Sequence, residues 1–299
     1  MKLIKPSFEI LEQSLGEEGI YKQVEKVGRV CWKSESKITE DSYKKFVEML
    51  KSKSHGAMLE HGTVYLKVHR KDAHTLFTYG SYVDDYIWMH YEYNHYSKWV
   101  LRGEHFYITT NLRVLVENGW LDDLKYLCEP TEYHEKRITV KFTMDRIGSQ
   151  SFCRHRVFSF AQESTRYCNY SKDKFGNELT FIIPSWLDLK AGSYSIDDVE
   201  EPYDRCLIID RCTNEEEAAF VRSLCYTEKE YLHLIQLGWT SQQARQVLTN
   251  ALKTELVMTG FVSDWKHFFK LRDDKDHAHP DAYILAHPLH EEFIKRNLI

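Results

Sequence analysis

Arg154-His155-Arg156-Val157-Phe158-Ser159-Phe160-Ala161-Gln162-Glu163-Ser164-Thr165-Arg166-Tyr167 is the most informative run in this chain. It gathers three arginines, a histidine, two serines and a glutamine, although the chain as a whole carries a net charge of -5. Guanidinium forks bind phosphate bidentately, hydroxyls and backbone N–H groups complete such a cradle, and an amide reads both donors and acceptors on a base edge. The residues therefore point to a nucleotide or another polyanion. A solvated basic segment or an RNA-binding patch is equally compatible with them.

Outward from that run, the 299 residues with 42% hydrophobic content suffice for a full core. The net negative charge argues against broad attraction to nucleic acid or anionic membranes, so any anion site is local. Met1 to Ile10 lacks signal-peptide character and no apolar run approaches bilayer length, which predicts a soluble cytoplasmic protein without membrane contact. Cys31, Cys128, Cys153, Cys168, Cys206, Cys212 and Cys225 are odd in number and never spaced CxxC, so reduced thiols are expected. Asp276, His277 and His279 read as a solvated turn, and no metal is predicted.

No repeat or linker marks a boundary, and residues 1–299 read as one α+β domain: a single mixed unit with a small β-sheet and long helices. Helical patterns run around Tyr21 to Val30 and Asp41 to Leu50, and Gly62 to Val68 alternates like a strand. Arg70 to Tyr107 is aromatic and irregular; Asn111 to Cys128 is helical with a break near Gly119. Ile138, Val140 and Phe142, then Leu179, Phe181 and Ile183 before Pro184, alternate as strands. The last third reads as helical. Asn214 caps one helix and Gly238 stops it, and Thr240 with Gln243 opens a second, with Ala244, Val247, Leu248, Ala251 and Leu252 inward until Gly260. A third begins near Ser263 and brings Trp265, Phe268, Phe269 and Arg272 onto one face.

The quoted run resembles the signature of flavin-dependent thymidylate synthases: Arg-His-Arg, seven residues, Ser, then a further Arg. The likeness continues through Tyr167, Tyr170-Ser171-Lys172 and the strand ending at Pro184. Upstream, Arg29-Val30-Cys31 and Leu59-Glu60-His61 resemble the family's first helix and the Phe-Glu-His before its first strand. Downstream, Ala244-Arg245-Gln246-Val247-Leu248, Trp265-Lys266-His267-Phe268, Leu271-Arg272 and His277-Ala278 resemble its later motifs. Two departures stand out. Ser151, beside Gln150, occupies a position where the family has Glu or Gln, and residues 70–135 read largely as an insertion after the first strand.

The resemblance implies methylation of dUMP to dTMP, with methylenetetrahydrofolate as carbon donor, FAD as hydride carrier and NADPH as reductant, in a homotetramer without nucleic-acid partners. It implies that Arg154, His155 and Arg156, with His61 and His267, contact FAD. It assigns Gln162, Ser164, Thr165 and Arg166 to dUMP, with Arg245 reaching the phosphate from a neighbouring subunit. Arg272 is implied at the uracil, as the catalytic cation. On bland readings Arg245 is a surface arginine and Arg272 a snorkelling one. Ser164 lacks a Gly-x-Ser-x-Gly turn and reads as a binding hydroxyl, while Cys153 and Cys168 read as small core residues. No Gly-x-Gly-x-x-Gly follows a strand, so a Rossmann mode of FAD binding is not expected. Tyr91, Tyr93, Tyr96 and Trp99 suit stacking on folate or flavin, core packing or subunit contacts. Two rival functions remain at this point: a catalytically inactive nucleotide-binding homologue and a nucleic-acid-binding module.

Overall fold

A computed structural model describes residues 1–73, 75–76, 82–83, 90–195 and 212–299. Cys206 and parts of the segment 70–135, expected to be an insertion, lie outside the described residues. In chain order the strands are β1 Lys2–Ile4, β2 Ser7–Leu11, β3 Thr63–His69, β4 Thr75–Leu76, β5 Tyr82–Val83, β6 Lys98–Arg102 and β7 His105–Asn111. They continue with β8 Arg137–Asp145, β9 Ser159–Gln162, β10 Thr180–Ile182, β11 Gly192–Ser193 and β12 Lys253–Phe261. The helices are α1 Gly16–Val30, α2 Ser42–Ser52, α3 Gly56–Leu59, α4 Leu112–Asn118 and α5 Arg146–Phe152. After them come α6 Glu215–Gln236, α7 Ser241–Ala244, α8 Val262–Arg272 and α9 Pro280–Lys295. The α+β class follows directly from this order.

The sheet that carries the site runs β2-β8-β12-β9, antiparallel throughout. Its two faces follow the two-residue period of the strands. Val140, Phe142, Met144, Leu256 and Met258 pack on Trp265, Phe268, Phe269, Leu285, Leu289 and Phe293 of α8 and α9. Val257 and Ala161, on the opposite face, meet Val27 and Val30 of α1. β12 is thus covered on both sides, and Thr254 to Phe261 are all buried.

This corrects the reading of the last third. The helix expected from Thr240 to Gly260 ends at Ala244, tightens into a 3₁₀ turn at Arg245–Val247, and gives way to β12. Val247, expected inward, is 38% exposed. A strand buried on both faces reads as a continuous apolar run, and here it was mistaken for one stripe of a helix. α9 was not foreseen. The other signals hold: Asn214 Oδ1 accepts from the Glu217 N–H at 2.8 Å, Gly238 has φ +93°, and the break expected near Gly119 falls where α4 ends at φ +73°.

The irregular reading of Arg70 to Tyr107 is corrected as well. β6 and β7 form a hairpin turned at Gly103 (φ +56°), and β7 pairs with β3 from Thr63↔Asn111 to His69↔His105. Ile108, Leu112 and Leu115 share a core with Ile20 and Val24 of α1 and Val47 and Leu50 of α2. The segment from β6 to α4 therefore extends the sheet of β3 and helps to build the core beneath it. A fourth cluster, around α6, seats the sheet β10-β1-β11.

Candidate active site

The quoted run leaves α5, crosses an irregular corner and enters β9. Asp145 caps α5 by accepting from the Gly148 N–H at 2.7 Å. At the corner Arg154 and Arg156 are exposed and His155 between them is 7% exposed. The Phe158 ring then anchors the segment, 4.7 Å from Trp265 between centroids. It lies where a Cβ on Gly260 would come within 2.5 Å, so β12 needs glycine there.

Arg272, the last residue of α8, turns toward this corner. Its Nε donates to His155 Nε2 at 3.0 Å and its Nη2 donates to the Ser151 carbonyl at 3.0 Å. A ring nitrogen that accepts from a guanidinium is unprotonated, so His155 is the neutral tautomer with its proton on Nδ1. Burial, then Arg272 and His267, depress the His155 pKa to about 4. Burial and the nearby Arg154 likewise lower that of Arg272. His267 is exposed, its ring 6.3 Å from that of His155. Arg154, His155, His267 and Arg272 are thus brought together at the end of α8. Ser151 meets Arg272 through its backbone; its hydroxyl donates to the Gly148 carbonyl.

A second group forms where β9 ends. Gln162 Nε2 donates to Ser149 Oγ at 2.8 Å and to Thr254 Oγ1 at 3.3 Å. The Ser164 N–H donates to the Cys31 carbonyl, and its Oγ accepts from the Arg166 N–H. Thr165 is buried. Arg166 is exposed and its Nε donates to Gln242 Oε1 at 2.6 Å, which places it beside α7. Arg245, also exposed, starts the turn that follows α7. No hydrogen bond among the described residues joins this group directly to the Arg272 corner.

His61 is fully enclosed. Its Nδ1 lies 2.7 Å from Thr259 Oγ1, which in turn contacts Thr139 Oγ1 at 2.9 Å, and its Nε2 has no partner. Burial above all, then the Arg137 cation, takes its pKa to about 3 against a smaller opposing pull from the Phe160 carbonyl. Cys153 and Cys168 fit the core reading, for burial raises both thiols, Cys168 to about 12, far from thiolate character.

Several polar residues of this region were missed. Glu163, 1% exposed, meets Lys253 Nζ at 2.6 Å and accepts from the Tyr170 hydroxyl at 3.0 Å. Lys253 also meets Glu255, which pairs with Lys33 at 2.6 Å. Arg146 Nη1 reaches the Glu163 carbonyl and Thr254 Oγ1, each at 3.4 Å. Arg137, nine-tenths buried, was missed too. Only the position of Glu163 inside the signature could have drawn attention to it; the others lack any local pattern. Among the described residues no His/Cys/Asp/Glu group suits a metal, no cysteine is in a disulfide, and no helix is long and apolar enough to cross a membrane.

Comparison with known proteins bears on this arrangement. The family model described as thymidylate synthase complementing protein matches residues 130–296, which include every residue of the two groups except the backbone contact at Cys31. A flavin-dependent thymidylate synthase of Pyrococcus abyssi (strain GE5 / Orsay) is 27% identical over 127 residues, 42% of this chain and 42% of that protein. One of Mycobacterium avium (strain 104) is 27% identical over 147 residues, 48% of this chain and 51% of that protein. The chain thus spans about half or less of the length of these curated relatives. Among solved structures, a UMP/dUMP methylase PolB from Streptomyces cacaoi bound with 5-Br dUMP is 16% identical, covering 99% of this chain and 93% of that one, with a TM-score of 0.42.

Proposed function

The chain belongs to the thymidylate synthase complementing protein family, and from that premise we propose that it methylates dUMP to dTMP as a flavin-dependent thymidylate synthase. The observation that carries the proposal is the Arg272 corner, where one cation is held by two 3.0 Å hydrogen bonds near the exposed Arg154. Methylenetetrahydrofolate supplies the carbon and NADPH the electrons. The bound FAD supplies hydride chemistry, which no side chain provides.

The residues present suit such a group. Arg154 and Arg156 are exposed guanidiniums fit for a diphosphate, and His155 and His267 offer flat edges beside them. His61 is enclosed by its own chain, so it is assigned to the wall behind the flavin as a neutral imidazole. For dUMP, Gln162 reads the pyrimidine edge, Ser164 and Thr165 line the turn, and Arg166 with Arg245 binds the phosphate. Thr165, being buried, contributes through its backbone.

Arg272 acts on the pyrimidine. Two of its donor positions are occupied by His155 and Ser151, which fixes the plane of the guanidinium and leaves Nη1 for a ligand oxygen. A cation fixed in advance at a partly desolvated spot stabilises negative charge on the ring as it is activated, without reorganisation during the reaction. The neutral His155 is essential to this arrangement, since an imidazolium could not accept from Arg272. A homotetramer whose neighbouring subunits and ligands complete the site belongs to this reading, with Arg154, Arg156, Arg166, Arg245 and His267 exposed to meet them.

The deciding experiment is tritium release from [5-³H]dUMP with methylenetetrahydrofolate, NADPH and FAD. Release that needs all three is expected. No release from protein that still binds dUMP would leave a nucleotide-binding homologue instead.

A further inference from the structure

Arg272 is aimed from the very end of its helix, and the apolar packing stops short of it. Trp265, Phe268 and Phe269 are buried, but no residue from Lys270 to Pro280 is, so the end of α8 and the loop after it have no anchor of their own in the core. The last carbonyls of a helix lack intrahelical partners, and such turns fray unless something holds them. Polar bonds must therefore fix this stretch. Asp274 turns back on its neighbours Asp276 and His277, and His279 caps α9 by accepting from the Asp281 N–H. Asp273, directly after Arg272, reaches instead from the end of α8 to the middle of α9. Its side chain is 13% exposed; Oδ1 accepts from His287 Nδ1 at 2.8 Å and Oδ2 from His290 Nδ1 at 2.6 Å. An ionised carboxylate only accepts, so both imidazoles carry a proton on Nδ1. A spacing of three puts the two histidines on one face of α9. Each ring is also held by stacking: His290 on Phe269, with 4.4 Å between centroids and 11° between planes, and His287 on Tyr283, at 5.1 Å and 13°. The Asp273 N–H donates to the Phe269 carbonyl at 2.8 Å, which closes a loop of contacts through Phe269, His290 and Asp273.

We propose that Asp273, His287 and His290 form a clasp that positions Arg272. It locks the end of α8 onto α9, so the guanidinium meets His155 and the Ser151 carbonyl from a fixed backbone. The inference rests on the catalytic role proposed above for Arg272. The three side chains are positioning residues, acting through the backbone of Arg272 and not on the pyrimidine.

Asp273→Ala removes both acceptors, while His287→Phe and His290→Phe each keep a ring to stack and remove one donor. Single-turnover tritium release from [5-³H]dUMP, with dUMP affinity measured alongside, is compared in wild-type and Arg272→Ala backgrounds, and thermal melts check folding. With Arg272 present, Asp273→Ala should slow release by up to about 10²-fold, the effect of misplacing a catalytic group by about an ångström, and dUMP affinity should hold. With Arg272 absent, the same substitution should cost nothing further, because an aimed charge cannot be lost twice. A crystal structure of Asp273→Ala should show the guanidinium away from His155 Nε2 and the Ser151 carbonyl. Equal slowing in both backgrounds, a wild-type rate, or an unmoved guanidinium overturns the clasp and leaves the enzymatic reading intact. Should Asp273→Ala fail to fold, the two Phe variants carry the same comparison. No release from the wild type overturns the enzymatic reading, and this inference with it.

Discussion

The contact between Arg272 and His155 sets two consequences at the level of single residues. Because Arg272 is oriented by an imidazole and a carbonyl at once, its replacement removes a charge that was already aimed. Arg272→Ala should lower kcat by about 10²–10³-fold, the usual effect of deleting one preorganised electrostatic donor. Arg272→Lys should recover little of it, since an ammonium lacks the planar fork that spans His155 and Ser151. Single-turnover rates with dUMP affinity measured alongside check both, and a lysine variant at wild-type rate would remove the geometric argument. The second consequence concerns pH. His155 and His61 have folded pKa values of about 4 and about 3, below the ordinary 6.5. Between those values and 6.5 the unfolded chain binds more protons than the folded one, so stability rises with pH across that window. It is complete above 6.5 and is lost as acid approaches 4 and then 3. Urea midpoints should therefore fall steadily from pH 7 to pH 4. The fall should be shallower in His61→Gln, which keeps an acceptor for Thr259 but does not titrate; equal slopes would deny His61 its share.

Among the elements, β12 governs how the signature is held, and one glycine governs β12. The Phe158 ring occupies the space above Gly260, so Gly260→Ala must displace either the ring or the strand. Overpacking of this kind costs roughly 1–3 kcal/mol. Thermal melts should show the loss, and an unchanged melt would mean that the corner before β9 yields freely. The same strand marks the limit of what could be read beforehand. α6 and α4 were legible because Asn214, Gly238 and Gly119 act within a turn of their own positions. β12 was not, because double coverage erases the alternation that identifies a strand. β7 failed for a related reason: Phe106 to Asn111 are buried without interruption, so the tyrosines and threonines around them looked irregular. α9 carries Pro288 inside it, a residue that ordinarily argues against a helix. At the site, Arg154 to Arg166 could be recognised as a contiguous motif. Lys253 could not, since its partner Glu163 is 90 positions away in the chain and only the fold brings them together.

On the scale of the whole molecule, the two groups of candidate residues are held by different parts of one chain. Arg272 ends a helix packed on one face of the central sheet, whereas Arg245 lies on the short turn after α7, beside the cluster built around α6. Among the described residues no hydrogen bond joins the two groups, and Arg245 is exposed. The proposed tetramer resolves this if Arg245 of one subunit serves the dUMP held by Arg272 of another. Symmetry then makes a specific demand, because each interface repeats the same pairing. Arg245→Ala and Arg272→Ala should each be nearly inactive as pure proteins. After the two are mixed in equal amounts and allowed to exchange subunits, some sites draw Arg272 from the first variant and Arg245 from the second. Random exchange makes about one site in four complete, so the mixture should recover about a quarter of wild-type activity. Native mass spectrometry verifies the exchange. If hybrids form and the mixture stays inactive, both arginines must come from the same chain, and the shared-site arrangement is wrong even where the chemistry is right.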